Sequence, residues 1–206
     1  MRNRIEAIIF DMDGTIYQID GKPDGYTGSS LERKVSSNVI KLIMDQELCD
    51  MSEASSILEL AKNGSESLSS FFVQRYNLTK NQYFDTVWKI DPSSIVQNAE
   101  TAIQVIKEAY ELGLVIVLLT SAPAVWQQAV IKHLKLSGFF SEIFTADDPG
   151  FSSKEEIFSQ LATRFQSVLS VGDQLETDIF PAQRFGMSTI HVKSPENLMT
   201  VLDLIR

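Results

Sequence analysis

The chain has 206 residues, of which 44% are hydrophobic and 22% charged, and its formal net charge is −9 at pH 7. That length can bury a sizeable core in one large domain or in a core with an insertion, and negative charge without a long basic run argues against a nucleic-acid partner. The single cysteine, Cys49, excludes an intrachain disulfide and a cysteine-rich zinc site; the basic start at residues 1–4 leads into neither a signal peptide nor a membrane span, so a cytoplasmic protein without membrane contact is expected.

The first apolar run, Ala7–Phe10, reads as a buried strand of a parallel sheet. It ends in Asp11-Met12-Asp13-Gly14-Thr15, two carboxylates two residues apart before a Gly-Thr pair. An Asp-Gly turn with both carboxylates solvated is the ordinary reading of that segment alone. The chemical reading starts from repulsion: carboxylates this close need a cation or a shared proton between them. That suits a metal site and a nucleophile paired with an acid/base.

Residues 17–28, with Gly21, Pro23, Gly25 and Gly28, read as a linker or lid hinge. Ser29 with Glu32 predicts a capping box, and Leu31, Val35, Val39, Leu42 and Ile43 predict a helical stripe to about residue 48. A second helix is expected over 52–63, stopped by Gly64. A third carries Leu68, Phe71, Phe72 and Tyr76. A fourth starts at Thr79 with Gln82 in the capping-box position, and carries Tyr83, Val87 and Trp88. No strand is expected between residues 20 and 95, so 18–97 reads as a helical insertion.

From Asn98 strands and helices alternate. A helix through Ala102, Ile106 and Ala109 stops at Gly113, and 114–119 is a second buried strand. Pro123 suits the first turn of the next helix. Ile143 and Phe144 mark a short third strand, and Ser153 with Glu156 predicts another capping box. Strands at 168–171 and 189–192 flank a short helix at 179–185, and Ser194-Pro195 begins the last helix. This alternation predicts an α/β, Rossmann-like parallel sheet flanked by helices, with right-handed crossovers.

Three strand ends carry suitable polar groups. The first ends in Asp11, the second in Thr120-Ser121 before a helix, and the fourth in Gly172-Asp173, with Asp178 five residues on. Lys154 starts the helix before that fourth strand. Parallel strand ends share one edge, where open α/β sheets bind ligands. Carboxylates, a hydroxyl at a helix start and a lysine would converge there on a phosphate and a hard, oxygen-liganded cation.

Four motifs in this order, Asp11-Met12-Asp13-Gly14-Thr15, Thr120, Lys154, and Gly172-Asp173 with Thr177-Asp178, resemble the haloacid dehalogenase-like superfamily of aspartyl-phosphate phosphatases. The resemblance implies a core of residues 1–17 and 98–206, with an all-helical cap domain at 18–97. It also implies the site roles. Asp11 is the nucleophile and Asp13 the acid/base. Thr120 and Lys154 bind the phosphoryl group; Ser121, the second hydroxyl at that strand end, is a further phosphate-binding candidate outside the motif. Asp11 and Asp173 hold Mg2+ with the Asp13 carbonyl, and Asp178 orients Lys154 or completes the metal shell. Here Lys154 is followed by Glu155, where many relatives have proline.

The expected activity is magnesium-dependent hydrolysis of a small phosphate monoester. Candidate substrates are a sugar or organic-acid phosphate, as in phosphoglycolate phosphatase-like relatives, or a nucleoside monophosphate, as in the pyrimidine 5′-nucleotidase-like branch. A phosphomutase would keep the same residues and remains the alternative. A non-catalytic phosphate- or metal-binding module is a second alternative, though a receiver domain would be shorter and would lack the Asp-x-Asp-Gly-Thr strand end. His133 and His191 read as structural or surface residues.

Overall fold

A computed structural model describes residues 4–21, 25–149 and 151–206. Residues 1–3 of the basic start and 22–24 of the expected hinge lie outside the described residues. The centre is a five-stranded sheet in which every paired neighbour runs parallel. Its strands are β1 (Ala7–Phe10), β4 (Val115–Leu119), β5 (Glu142–Phe144), β6 (Val168–Gly172) and β7 (Ser188–His191), in the order β5-β4-β1-β6-β7. The chain steps outward from β1 in both directions, so the β1/β6 junction is a topological switch point of the kind where ligands bind.

Strand alternation explains the layers. Ile8 and Phe10 of β1, Ile116 and Leu118 of β4, and Leu169 and Val171 of β6 face one way. They pack on α5 (Glu100–Glu111), α6 (Ala124–His133) and α9 (Met199–Ile205) through residues such as Ile106, Trp126 and Leu202. Ala7, Ile9, Val117 and Leu119 face the other way, onto α7 (Lys154–Arg164) and α8 (Phe180–Arg184) through Ile157, Phe158, Leu161 and Ala182. β1 is buried on both faces, which is why it is apolar throughout rather than alternating.

Between β1 and α5 lie α1 (Ser30–Glu47), α2 (Met51–Lys62), α3 (Leu68–Tyr76) and α4 (Lys80–Val87). They share a core of Val39, Ile43, Leu58, Phe72 and Tyr83. The chain leaves and re-enters through two crossings that pair: β2 (Gln18–Ile19) runs antiparallel to β3 (Val96–Gln97). Asn98 Nδ2 donates to Gln18 Oε1 at 2.6 Å and reinforces that junction. The expected 17–28 loop therefore begins as a strand, and the all-helical reading of 18–97 needs a strand at each end. Two-residue strands carry no alternation for a sequence pattern to detect.

Three local expectations also change. Ser29 caps α1 by accepting from Glu32 N, but Glu32 turns to Gly28 N at 2.6 Å, so the reciprocal box is not formed. Glu156 takes the Ser152 hydroxyl at 2.6 Å, and Ser153 makes no side-chain cap bond. Pro123 sits at the N-cap of α6 rather than in its first turn, and Asp147 supplies the acceptor for Ala124 N at 2.7 Å. The Thr79–Gln82 box on α4 is complete. No helix among the described residues is long and apolar enough to cross a membrane.

Candidate active site

Three candidate site side chains stand just beyond strand ends, where the backbone is still pinned by the sheet. Asp11 follows β1, and its N–H still donates to Val171 O of β6 at 2.9 Å. Thr120 follows β4, and its N–H donates to Phe144 O of β5 at 3.0 Å. Asp173 follows β6, and its carbonyl lies 2.9 Å from His191 Nε2 of β7, which donates in that tautomer. His191 thus holds the backbone of a site residue, a role its place in an edge strand does not announce.

Lys154, the first residue of α7, reaches between two carboxylates. Its Nζ donates to Asp11 Oδ1 at 2.6 Å and to Asp178 Oδ1 at 2.7 Å. All three are buried. Asp178 lies in a π-helical turn, Leu175–Ile179, and its Oδ2 accepts from Gln174 N at 3.0 Å. Such turns are rare and favour functional positions. Burial works against the Lys154 ammonium, but Asp11 and Asp178 overcome that cost and raise its pKa.

Oxygens of Asp11, Asp173 and Asp178 lie within 4.8 Å of one another. Burial, and then repulsion from Asp11 and Asp178, push the Asp173 carboxyl up to about 8. Burial and Asp11 also raise Asp178, against the pull of Lys154. One ammonium does not balance three clustered carboxylates. An all-oxygen, under-neutralised set fits a hard divalent cation. Thr15 Oγ1 bridges the same group, 3.1 Å from Asp11 Oδ2 and 3.4 Å from Asp173 Oδ1.

Asp13 stands apart from that cluster. Its Oδ1 accepts from the Tyr17 hydroxyl and, at 3.1 Å, from Trp126 Nε1. Trp126 Nε1 also lies 3.1 Å from the Tyr17 oxygen, and Trp126 is fully buried. Both donors fall on Oδ1, and among the described residues none donates to Oδ2. Burial raises the Asp13 pKa despite the two donors and Lys154, which lower it. Tyr17 and Trp126 are the residues that sequence reasoning missed. A tyrosine four residues after Asp13 was a readable signal, whereas Trp126 is 113 positions away.

Gly14 is required by both its backbone and its neighbour. Its φ is +85°, and a Cβ there would lie 2.5 Å from Asp173 Oδ2. Gly28 has φ +76° with nothing within 4 Å of the same position. Gly14→Ala should therefore cost the left-handed strain of about 1–2 kcal/mol plus displacement of Asp173. Gly28→Ala should cost the strain alone. Thermal unfolding of both variants measures the difference; equal falls in Tm would mean that Asp173 moves aside freely.

Asp11, Asp13, Thr120, Ser121 and Lys154 line one cavity of about 400 Å³. Thr120 Oγ1 accepts from Ala122 N at 3.0 Å, so its hydroxyl hydrogen is left to donate elsewhere. Ser121 is exposed at the rim. The opposite wall comes from the helical segment, including Leu31, Tyr83 and Trp88. A buried carboxylate paired with a lysine, and a second carboxyl whose burial favours its protonated form, thus meet beside a cation-suited cluster.

A family model for haloacid dehalogenase-like hydrolases matches residues 5–186. A glyceraldehyde 3-phosphate phosphatase of Methanopyrus kandleri is 26% identical over 214 residues, covering 92% of this chain and 84% of the relative. A protein of the same name from Methanocaldococcus jannaschii is 23% identical over 205 residues, covering 91% and 85%. The fold is similar to that of a HAD-superfamily hydrolase from Ehrlichia chaffeensis, with a TM-score of 0.56, 19% identity and full coverage of both chains. With its family model spanning both the first motif and the last, the chain belongs to the haloacid dehalogenase-like hydrolases.

Proposed function

We propose that this phosphoric monoester hydrolase is magnesium-dependent and cleaves a small phosphorylated metabolite through an aspartyl phosphate on Asp11. The observation that carries the reading is Asp11 itself. It is a buried carboxylate on a strand end, in contact with Lys154, clustered with Asp173 and Asp178, and facing a cavity. The two relatives named as glyceraldehyde 3-phosphate phosphatases support a small organic phosphate as substrate.

In the first step an Asp11 oxygen bonds to phosphorus as the bond to the leaving oxygen breaks. Asp13 gives its proton to that leaving oxygen. The raised Asp13 pKa supports this role, and Oδ2, to which neither Tyr17 nor Trp126 donates, is the oxygen to carry the proton. In the second step Asp13 takes a proton from water, which attacks phosphorus and frees Asp11 and inorganic phosphate. Lys154 and the Thr120 hydroxyl offset charge on the phosphoryl oxygens. Mg2+, held by Asp11 and Asp173 with the Asp13 carbonyl, would supply further positive charge at the transferring group. Asp178 keeps Lys154 aimed at Asp11.

Residues 18–97 form the cap in this reading, and 1–17 with 98–206 the core. Magnesium-dependent release of inorganic phosphate from p-nitrophenyl phosphate tests the activity. Free phosphate, rather than a phosphate moved within one molecule, separates hydrolysis from a mutase. Chelation should lower turnover by about a hundredfold or more, and magnesium should restore it. Full activity after chelation, or rescue by zinc alone, would sink the metal assignment.

A further inference from the structure

We infer that the alcohol released by this enzyme is uncharged and carries a flat ring, an inference that rests on the phosphatase reading above. The cavity holding Asp11, Asp13 and Lys154 is continuous with a wall of Tyr26, Leu31, Val35, Tyr83, Phe84 and Trp88. Among the described residues, every cap residue on that wall is uncharged, and its side-chain polar groups are hydroxyls and the Trp88 indole N–H.

The aromatic wall has order of its own. Tyr26 and Trp88 stack with centroids 5.7 Å apart and planes at 19°. Tyr83 and Phe84 meet edge to face at 5.5 Å and 61°. Trp88, the C-cap of α4, is half-buried and lines the cavity. A third ring entering there gains offset-stacked or edge contacts beyond the area it buries. The phosphate end of the ligand is fixed by the core, so the ring end is the part left to meet this wall.

The wall also selects against other alcohols. A leaving group with a carboxylate or second phosphate would lose its hydration, and among the described residues no cation lines the cap side: Lys80, whose ammonium lies 5.9 Å over the Phe84 ring, donates to Ala146 O of the core. The charges it would meet on the core side are carboxylates, and Lys154 is already committed to Asp11 and Asp178. A polyhydroxylated chain would need several partners, whereas the two serine hydroxyls of the wall, Ser67 and Ser69, already bond each other and the rest of the wall is mostly ring and aliphatic surface. Phosphoglycolate and glyceraldehyde 3-phosphate therefore fit this cavity worse than a ring-bearing ester. At 23–26% identity the named relatives do not carry their cap wall over to this chain.

The test compares kcat/KM, with magnesium, for benzyl phosphate, phosphoglycolate and glyceraldehyde 3-phosphate, all esters of unactivated primary alcohols. Acetyl phosphate, which is ringless and needs no acid, reports the core chemistry separately. Benzyl phosphate should exceed each of the others by about tenfold or more. Trp88→Ala should lower the benzyl-to-phosphoglycolate ratio about tenfold, and Trp88→Phe should restore much of it. Ser69→Arg, which places a cation on the wall at a half-buried position, should lower the same ratio about tenfold without depending on Trp88. Acetyl phosphate turnover with a ratio near one, or a ratio that neither variant moves, would overturn the inference while leaving the phosphatase standing. No turnover of any of these esters or of acetyl phosphate would remove the phosphatase reading and this inference with it.

Discussion

Asp11→Asn should lower turnover by roughly three orders of magnitude or more, and the protein should remain folded. The amide is nearly isosteric, and it cannot form the mixed anhydride that a carboxylate forms with phosphorus. Folding survives for an electrostatic reason. Lys154 loses one partner but keeps Asp178 at 2.7 Å, so its charge is not orphaned. The remaining carboxylates gain, because repulsion from Asp11 helps to raise the pKa of both Asp173 and Asp178. With chelator present, Tm of the variant should accordingly be no lower than that of the parent. The checks are phosphate release, a phosphoenzyme trap and a melting curve. A folded Asp11→Asn protein with near-normal activity rules out covalent catalysis at Asp11.

The parts of this site that were readable in the sequence are those set by local pattern. β1, β4 and β6 are apolar runs because helices cover both faces, and the residues just past them had to be the ones at the ligand edge. Asp11, Thr120 and Asp173 follow from that rule alone. Lys154 follows from a helix start. What was not readable depends on which groups compete for one donor. Ser29–Glu32 and Thr79–Gln82 have matching box patterns, yet Gly28 N draws Glu32 away while Gln82 stays with Thr79. The Tyr17–Trp126 pair on Asp13 joins residues 109 positions apart, a contact that no local pattern encodes. The same limit hid the cap wall: its aromatic spacing is equally that of helix core, and Phe72 is such a core ring whereas Trp88 faces the cavity.

Asp13→Asn should separate substrates by leaving group. Tyr17 and Trp126 both donate to Oδ1, so an asparagine is held with its carbonyl oxygen on those donors and its amide nitrogen where Oδ2 was. Position and shape are kept, and only the transferable proton is lost. Loss of a general acid costs about a hundred- to ten-thousandfold for a leaving group that needs protonation. An alkyl phosphate should lose that much in the step that forms the phosphoenzyme. A p-nitrophenyl phosphate releases a stable anion, so the same step should fall far less. The second step needs Asp13 to deprotonate water whatever the substrate was, so steady-state turnover should be slow for both. Rapid mixing should therefore show a burst of nitrophenolate near one equivalent per enzyme, followed by slow release. No comparable alcohol burst should follow from the alkyl ester. Equal losses of the first step for the two esters would mean that Asp13 serves the metal or the loop rather than the proton. The same outcome would leave its raised pKa, and the two donors that fix Oδ1, without a chemical purpose.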